Sequence, residues 1–269
     1  MSQLNNPLAI YKLLNKSNCR QCELATCMAF AAAVIKGQKH LGDCPHLERN
    51  VIEQFDGKIV KQMNLEQQLE HTLEQLKRKI ATIDFSLSAE RLGATFSGDK
   101  LTIKCLGKDF TVDSEGNIIS ECHVNIWVVI PLLNYIISSA GNNVSGKWVP
   151  FRELKNGMRL NPLFEQRCEK PLKQVADTYP NLFEDMIYIF SGKPVVNSFS
   201  SDISLVLHPL PKVPMLIRYD KPENELESKL KIFFDTTAED NLNIESIYFL
   251  SVGIVTMFEK ITIRHGKLG

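Results

Sequence analysis

Asn18-Cys19-Arg20-Gln21-Cys22-Glu23-Leu24-Ala25-Thr26-Cys27-Met28-Ala29-Phe30-Ala31, followed downstream by Asp43-Cys44-Pro45-His46-Leu47, is the stretch on which the reading turns. Its cysteines are spaced C-x2-C-x4-C-x16-C, four of the seven in the chain, while Cys105, Cys122 and Cys168 stand singly. Met1 to Pro7 is polar, with no basic start leading into an apolar run and a small-residue cleavage site. The expected address is therefore cytoplasmic, where thiols stay reduced, and the cysteine cluster points to a metal rather than to disulfides.

Four thiolates suit zinc or an iron–sulfur cluster, since both favour soft sulfur ligands. Zinc sites usually come as two knuckles, each with a short cysteine pair. Here three cysteines are bunched and the fourth arrives from far along the chain, as in cubane-binding sequences, where one loop wraps three corners. Pro45 behind the distant cysteine fits that pattern. The expected cofactor is a [4Fe–4S] cluster on Cys19, Cys22, Cys27 and Cys44; zinc, or no metal, are the alternatives left open. Leu24, Met28, Ala31 and Ile35 recur at helical spacing, and Gly37 is a stop signal. That puts Cys27 in the first turn of a helix, where the dipole and free N–H groups favour a thiolate. Lys16, Arg20, Lys36 and Lys39 either set positive charge round an anionic site or form an ordinary solvated face.

The run from Asn18 to Ala31, with Asp43 to Leu47, resembles the cluster domain of the large subunit of corrinoid iron–sulfur proteins. That family uses a low-potential [4Fe–4S] cluster to re-reduce the cobalt of a bound corrinoid. The resemblance covers about 45 residues and implies Cys19, Cys22, Cys27 and Cys44 as ligands. The family's barrel and corrinoid-binding domains have no counterpart here, so the resemblance implies cluster binding and not corrinoid binding.

Beyond the cysteines, Leu65, Leu69, Leu73, Leu76, Ile80 and Ile83 mark an amphipathic helix from Asn64 to Ile83. Short alternating runs follow, at Ala94–Ser97, Leu101–Leu106, Phe110–Val112 and Ile118–Ser120. They are separated by Gly98-Asp99, Gly107-Lys108 and Glu115-Gly116-Asn117, which reads as an antiparallel meander. Val124 to Ala140 is apolar but interrupted by Asn125, Pro131 and Asn134. It falls short of the roughly 20 clean residues a membrane span needs, so a buried helix is expected. Asn161-Pro162 opens a helix that Pro171 should interrupt, and Asn181 to Phe190 is a helix stopped by Ser191-Gly192. Strands are expected at Ile203–Leu207, Met215–Tyr219 and Lys231–Phe234, with a Pro-rich joint over 209–214, and a long helix closes at Ile244–Ile263. Helices and strands without regular βαβ alternation indicate an α+β fold: a small helical [4Fe–4S] module (1–60), a linker helix (61–84), and a larger domain (85–269) with an antiparallel sheet and packed helices. Leu210-Pro211-Lys212-Val213-Pro214, Arg218-Tyr219-Asp220 and Phe234-Asp235-Thr236-Thr237-Ala238 resemble a prokaryotic domain of uncharacterised function, often joined to such a cluster module in anaerobes. That resemblance implies a fold and an association, and no catalytic residues.

Lys+Arg 31 against Asp+Glu 31 leaves no basic excess for a nucleic-acid surface. Phosphate-binding and hydrolase motifs are absent from the sequence. Cys122-His123 is adjacent and therefore poorly placed to aim at one target. Cys105 and Cys168 read as buried small hydrophobes, His208 as a loop residue, Asp220 and Glu223 as a solvated turn, and Asp235 as a helix cap. The expected function is one-electron transfer in anaerobic metabolism, from a ferredoxin-like donor to an acceptor protein or cofactor, the acceptor including corrinoid-bearing ones. An accessory role is favoured over a stand-alone enzyme. The competing readings are an iron–sulfur sensor or assembly factor with a structural cluster, and a corrinoid or small-molecule enzyme component. Neither a nucleic-acid partner nor a membrane span is expected.

Overall fold

The structure, a computed structural model, describes residues 4–55, 57–59, 65–179, 181–195, 201–223 and 226–265. Residues 1–3 of the polar start, the junction at 60–61, and Asn64 lie outside the described residues. Two compact units divide the chain, residues 1–71 and 72–269.

The first unit is built of short helices. Asn6 caps α1 (Pro7–Tyr11), its side chain accepting from the Ala9 N–H at 2.9 Å, with Pro7 at the first helical position. A long loop leads to α2 (Cys27–Ile35), which starts at Cys27 as its spacing predicts. Gly37, at φ +71, ends it, and the Gln38 N–H closes back on the Ala33 carbonyl. Met28 faces out rather than in; the helix buries Cys27, Phe30, Ala31, Ala33, Val34 and Ile35 instead. A 3-10 turn, Leu41–Asp43, delivers Cys44, and α3 (Arg49–Phe55) follows. Ile10, Leu14, Phe30, Val34 and Leu41 form one apolar cluster that also takes in Cys22, Cys27 and Cys44.

Helix α4 (Leu65–Ile80) crosses the boundary between the units and buries Leu76 and Ile80. Next comes α5 (Phe85–Leu92), a helix the hydrophobic pattern alone does not announce. Its signal is local: Asp84 accepts from the N–H groups of Ser86 and Leu87 at 2.9 and 3.2 Å. The meander forms as expected from β1 (Thr95–Ser97), β2 (Lys100–Cys105), β3 (Lys108–Val112) and β4 (Ile118–Ile119), all antiparallel. Its inward side carries Leu101, Ile103, Cys105, Phe110 and Val112, the period-2 alternation of a half-covered sheet.

Helix α6 (Ile126–Ser138) is the apolar stretch expected to be buried, and it is, from Val128 to Leu133. Then follow β5 (Trp148–Pro150) and α7 (Gly157–Phe164), which opens earlier than Asn161-Pro162 and carries Pro162 inside it. Pro171 does not interrupt the run. A π-turn over Glu165–Glu169 widens the coil just before α8 (Lys170–Thr178), so Pro171 sits in a first turn, where its missing N–H costs nothing. After α9 (Leu182–Phe190) come β6 (Lys193–Pro194), β7 (Ile203–Leu210), β8 (Val213–Asp220) and β9 (Lys229–Asp235). The antiparallel sheet order is β5-β9-β8-β7-β6. The expected Pro-rich joint is therefore mostly strand: only Pro211-Lys212 turns, and a register shift between Leu207 and Leu210 absorbs Pro209.

The chain closes with α10 (Ala238–Asn241) and α11 (Ile244–His265). Over Ile244–Ile263 the last helix is long and apolar enough to cross a membrane by length and composition, with 44% of that window buried. Within its unit α11 packs on α6, α7 and α8. At Gly253, α11 packs directly against Trp127 of α6, since a Cβ there would enter the Trp127 ring. Helix propensity alone would reward Gly253→Ala by about 1 kcal/mol, but overpacking costs roughly 1–3 kcal/mol. The expected result is a net loss of stability, measured as a lower urea midpoint with an unchanged m-value.

Candidate metal centre

The loop between α1 and α2 carries Lys16, Asn18, Arg20 and Glu23 in the left-handed region, at φ 62, 51, 64 and 66. For residues with a side chain this costs about 1 kcal/mol or more each, so the fold holds the loop in place. Left-handed residues alternating along a loop turn backbone N–H groups to one side and make a concavity suited to anions. Asn18 shows the effect directly: its N–H donates to Cys27 Sγ at 3.4 Å. The Asn18 side chain answers in the other direction, Oδ1 accepting from the Cys27 N–H at 2.8 Å. Thr26 caps the same helix start, its Oγ1 taking the Ala29 N–H at 3.1 Å.

On the far side, Asp43 accepts from the His40 N–H at 2.8 Å and tightens the 3-10 turn that presents Cys44. Cys19, Cys22, Cys27 and Cys44 all line one small cavity, whose walls include Leu14 and Phe30. Cys22, Cys27 and Cys44 are buried, and Cys19 is exposed. Among the described residues no three His, Cys, Asp or Glu groups are gathered closely enough to hold one metal ion. An all-sulfur donor set suits a soft metal site, whether an iron–sulfur cluster or zinc.

Of the cations near the loop, only Arg20 lines the cavity. Lys39 is paired with Glu23 at 3.0 Å, which raises its pKa. Lys16 lies over the Tyr11 ring, 5.6 Å from its centre.

Elsewhere the other sequence candidates have plain structural roles. Burial pushes the thiols of Cys105 and Cys168 well up, so both stay protonated and inert. Cys122 and His123 line different cavities. His208 lies within β7 at the register shift rather than in a loop; its backbone carbonyl accepts from the Leu106 N–H at 2.9 Å, and burial, with Lys193 nearby, lowers its pKa. Asp220 ends β8 opposite Lys229, and Glu223 turns back on Leu226. Lys173, Arg218, Lys229 and Lys231 share an open cavity with Phe233. Two of its cations are neutralised within the fold, Lys173 by Asp177 and Lys231 by Glu169.

Asp235 is not a simple helix cap. Fully buried, it accepts at Oδ1 from the N–H and hydroxyl groups of Ser145 and Thr237, and at Oδ2 from the Gly146 N–H at 2.6 Å. Asn241, also fully buried, takes the Gly141 N–H on Oδ1 and donates to the carbonyls of Asn142, Lys212 and Thr237. Asp235 and Thr237, which belong to the second resemblance, together with Asn241 thus lock the 139–147 loop to the strand ends.

A cavity lined by four cysteines in a small helical unit, joined to an α+β domain, defines the class. Comparison with known proteins agrees. Residues 14–46 match a family model described as "Putative Fe-S cluster", and residues 84–257 match "Domain of unknown function (DUF3786)". The chain belongs to the DUF3786 family. Over 57 residues the chain is similar to the acetyl-CoA decarbonylase/synthase complex subunit gamma of Methanothermobacter thermautotrophicus, at 42% identity, covering 20% of this chain and 12% of that protein. The subunit of that name from Methanosarcina acetivorans is 47% identical over 45 residues, 17% of this chain and 10% of the relative. The chain therefore spans only about a tenth of the length of these curated relatives. No solved structure matches. The model match and the relatives together support an iron–sulfur cofactor in the N-terminal unit.

Proposed function

We propose that the chain is an iron–sulfur redox protein in which Cys19, Cys22, Cys27 and Cys44 hold a [4Fe–4S] cluster in a module of residues 1–60. Residues 61–84 link it to the domain of residues 85–269. The observation that carries the reading is that all four cysteines line one cavity, with Cys19 exposed and the other three buried. A bound cubane would supply reversible one-electron chemistry. The chain's own residues do the rest. Leu14 and Phe30 wall the cavity and keep water off the buried cysteines, which lowers the local dielectric. The start of α2 and the Arg20 side chain place positive potential beside an anionic site. Cys19, at the surface, offers the short path by which an electron enters from a ferredoxin-like donor and leaves to an acceptor protein, in an anaerobic cytoplasm. The relatives are subunits of a complex, which supports a protein partner.

The test is a redox titration of the anaerobically purified full chain, followed by EPR. The expected result is one reversible transition with one-electron slope, and reduction by reduced ferredoxin. A second reading, a sensor or assembly factor, draws on the membership of Cys22, Cys27 and Cys44 in the apolar core, which ties the cluster to folding. A cluster that dithionite cannot reduce, but whose removal melts residues 1–59, would favour it.

A further inference from the structure

We propose that Asn18, which is not itself a ligand candidate, positions Cys27 and thereby sets the reduction potential of the cluster; this rests on the iron–sulfur reading above. Two bonds link this residue to Cys27 in opposite directions, Asn18 N–H to Sγ at 3.4 Å and Cys27 N–H to Oδ1 at 2.8 Å. Each depends on the other. Cys27 is the first residue of α2, so its N–H is one of the donors that a helix start leaves without an intrahelical partner. Thr26 already serves the Ala29 N–H, leaving the Cys27 donor to Asn18.

The backbone of Asn18 is left-handed, at φ 51, which aims its own N–H at the sulfur. Asparagine is among the few non-glycine residues that take this conformation readily, and its short side chain carries an acceptor. A donor on a cluster thiolate withdraws charge and favours the reduced, more negative state. The side chain of Asn18 thus acts on the potential through a neighbour's sulfur, by holding its own peptide N–H in place.

The experiment compares wild type, Asn18→Asp, Asn18→Ala and Asn18→Gly as full chains, reading iron and sulfide content and the midpoint potential. Asn18→Asp keeps an acceptor for Cys27 and adds a negative charge. It should load fully and titrate lower, with about a tenfold smaller ratio of reduced to oxidised cluster at fixed poise, or about 59 mV for one electron. Asn18→Gly keeps the left-handed backbone without strain but loses the acceptor. It should also titrate lower and lose its cluster faster in air, and Asn18→Ala, which adds strain, faster still. Loaded variants with the wild-type potential would overturn the positioning role alone. A wild-type chain that binds no iron and sulfide would overturn the cluster reading, and this inference with it.

Discussion

Replacing Cys22, Cys27 or Cys44 by serine is expected to remove the bound iron and to unfold the first unit as well. All three sit in the apolar cluster with Ile10, Phe30 and Leu41, at 9%, 8% and 8% exposure. A serine there is a poor soft-metal ligand and buries a hydroxyl, costing roughly 1–3 kcal/mol if it finds no partner. A core this small rarely supplies more than about 3–5 kcal/mol, so losing both the metal cross-link and that increment is decisive. Cys19→Ser should lose iron to the same degree but leave the apo-protein no less folded than apo wild type, because Cys19 is exposed. Cys105→Ser and Cys168→Ser should keep the wild-type iron content. Iron assay with limited proteolysis separates these outcomes. Full iron in the Cys27 variant would remove that residue from the ligand set.

Asp235→Ala is the largest expected loss in the second unit. It strips the acceptor from the N–H groups of Ser145, Gly146 and Thr237 and from two hydroxyls, in a place without solvent. Bonds to a charged acceptor contribute about 1.5–3 kcal/mol each but are not additive, so about 3–4 kcal/mol in all is expected. For a unit of this size that is roughly 10 °C in Tm. Asp235→Asn keeps Oδ1 and turns an N–H₂ toward Gly146, for about half the loss. Burial pushes the Asp235 carboxyl up, but the donors from Thr237 and Ser145 outweigh it and hold the pKa below the ordinary value. With the folded pKa depressed, the carboxylate contributes its stability above about pH 4 and loses it as pH falls through the folded value. Wild type should therefore weaken on acidification below that point, and Asp235→Asn should show a flatter acid limb in a pH series of melts.

What local sequence could reveal follows the range of the forces involved. The start of α2 at Cys27 was legible because the spacing of Leu24, Ala31 and Ile35 and the Gly37 stop are near-neighbour signals. The meander was legible because Gly98-Asp99 and Gly107-Lys108 punctuate alternating strands. In the β7–β8 hairpin Pro209 and Pro214 look like breakers, so local sequence shortens both strands. A register shift and tertiary pairing override that local bias. Pro171 misled in the same way, since a π-turn upstream cannot be read from composition. Asp235 looked like a cap because Ser145 and Gly146 lie some 90 residues away in sequence. Asn18 stands within the motif, yet its bonds to Cys27 depend on a left-handed backbone that no periodicity encodes.

Counting iron, acid-labile sulfide and zinc on the full chain, purified without oxygen, addresses the cluster most directly. About four irons and about four sulfides per chain, with no zinc, is the result expected of a cubane on these cysteines. A folded protein holding one tightly bound zinc and no sulfide would contradict it.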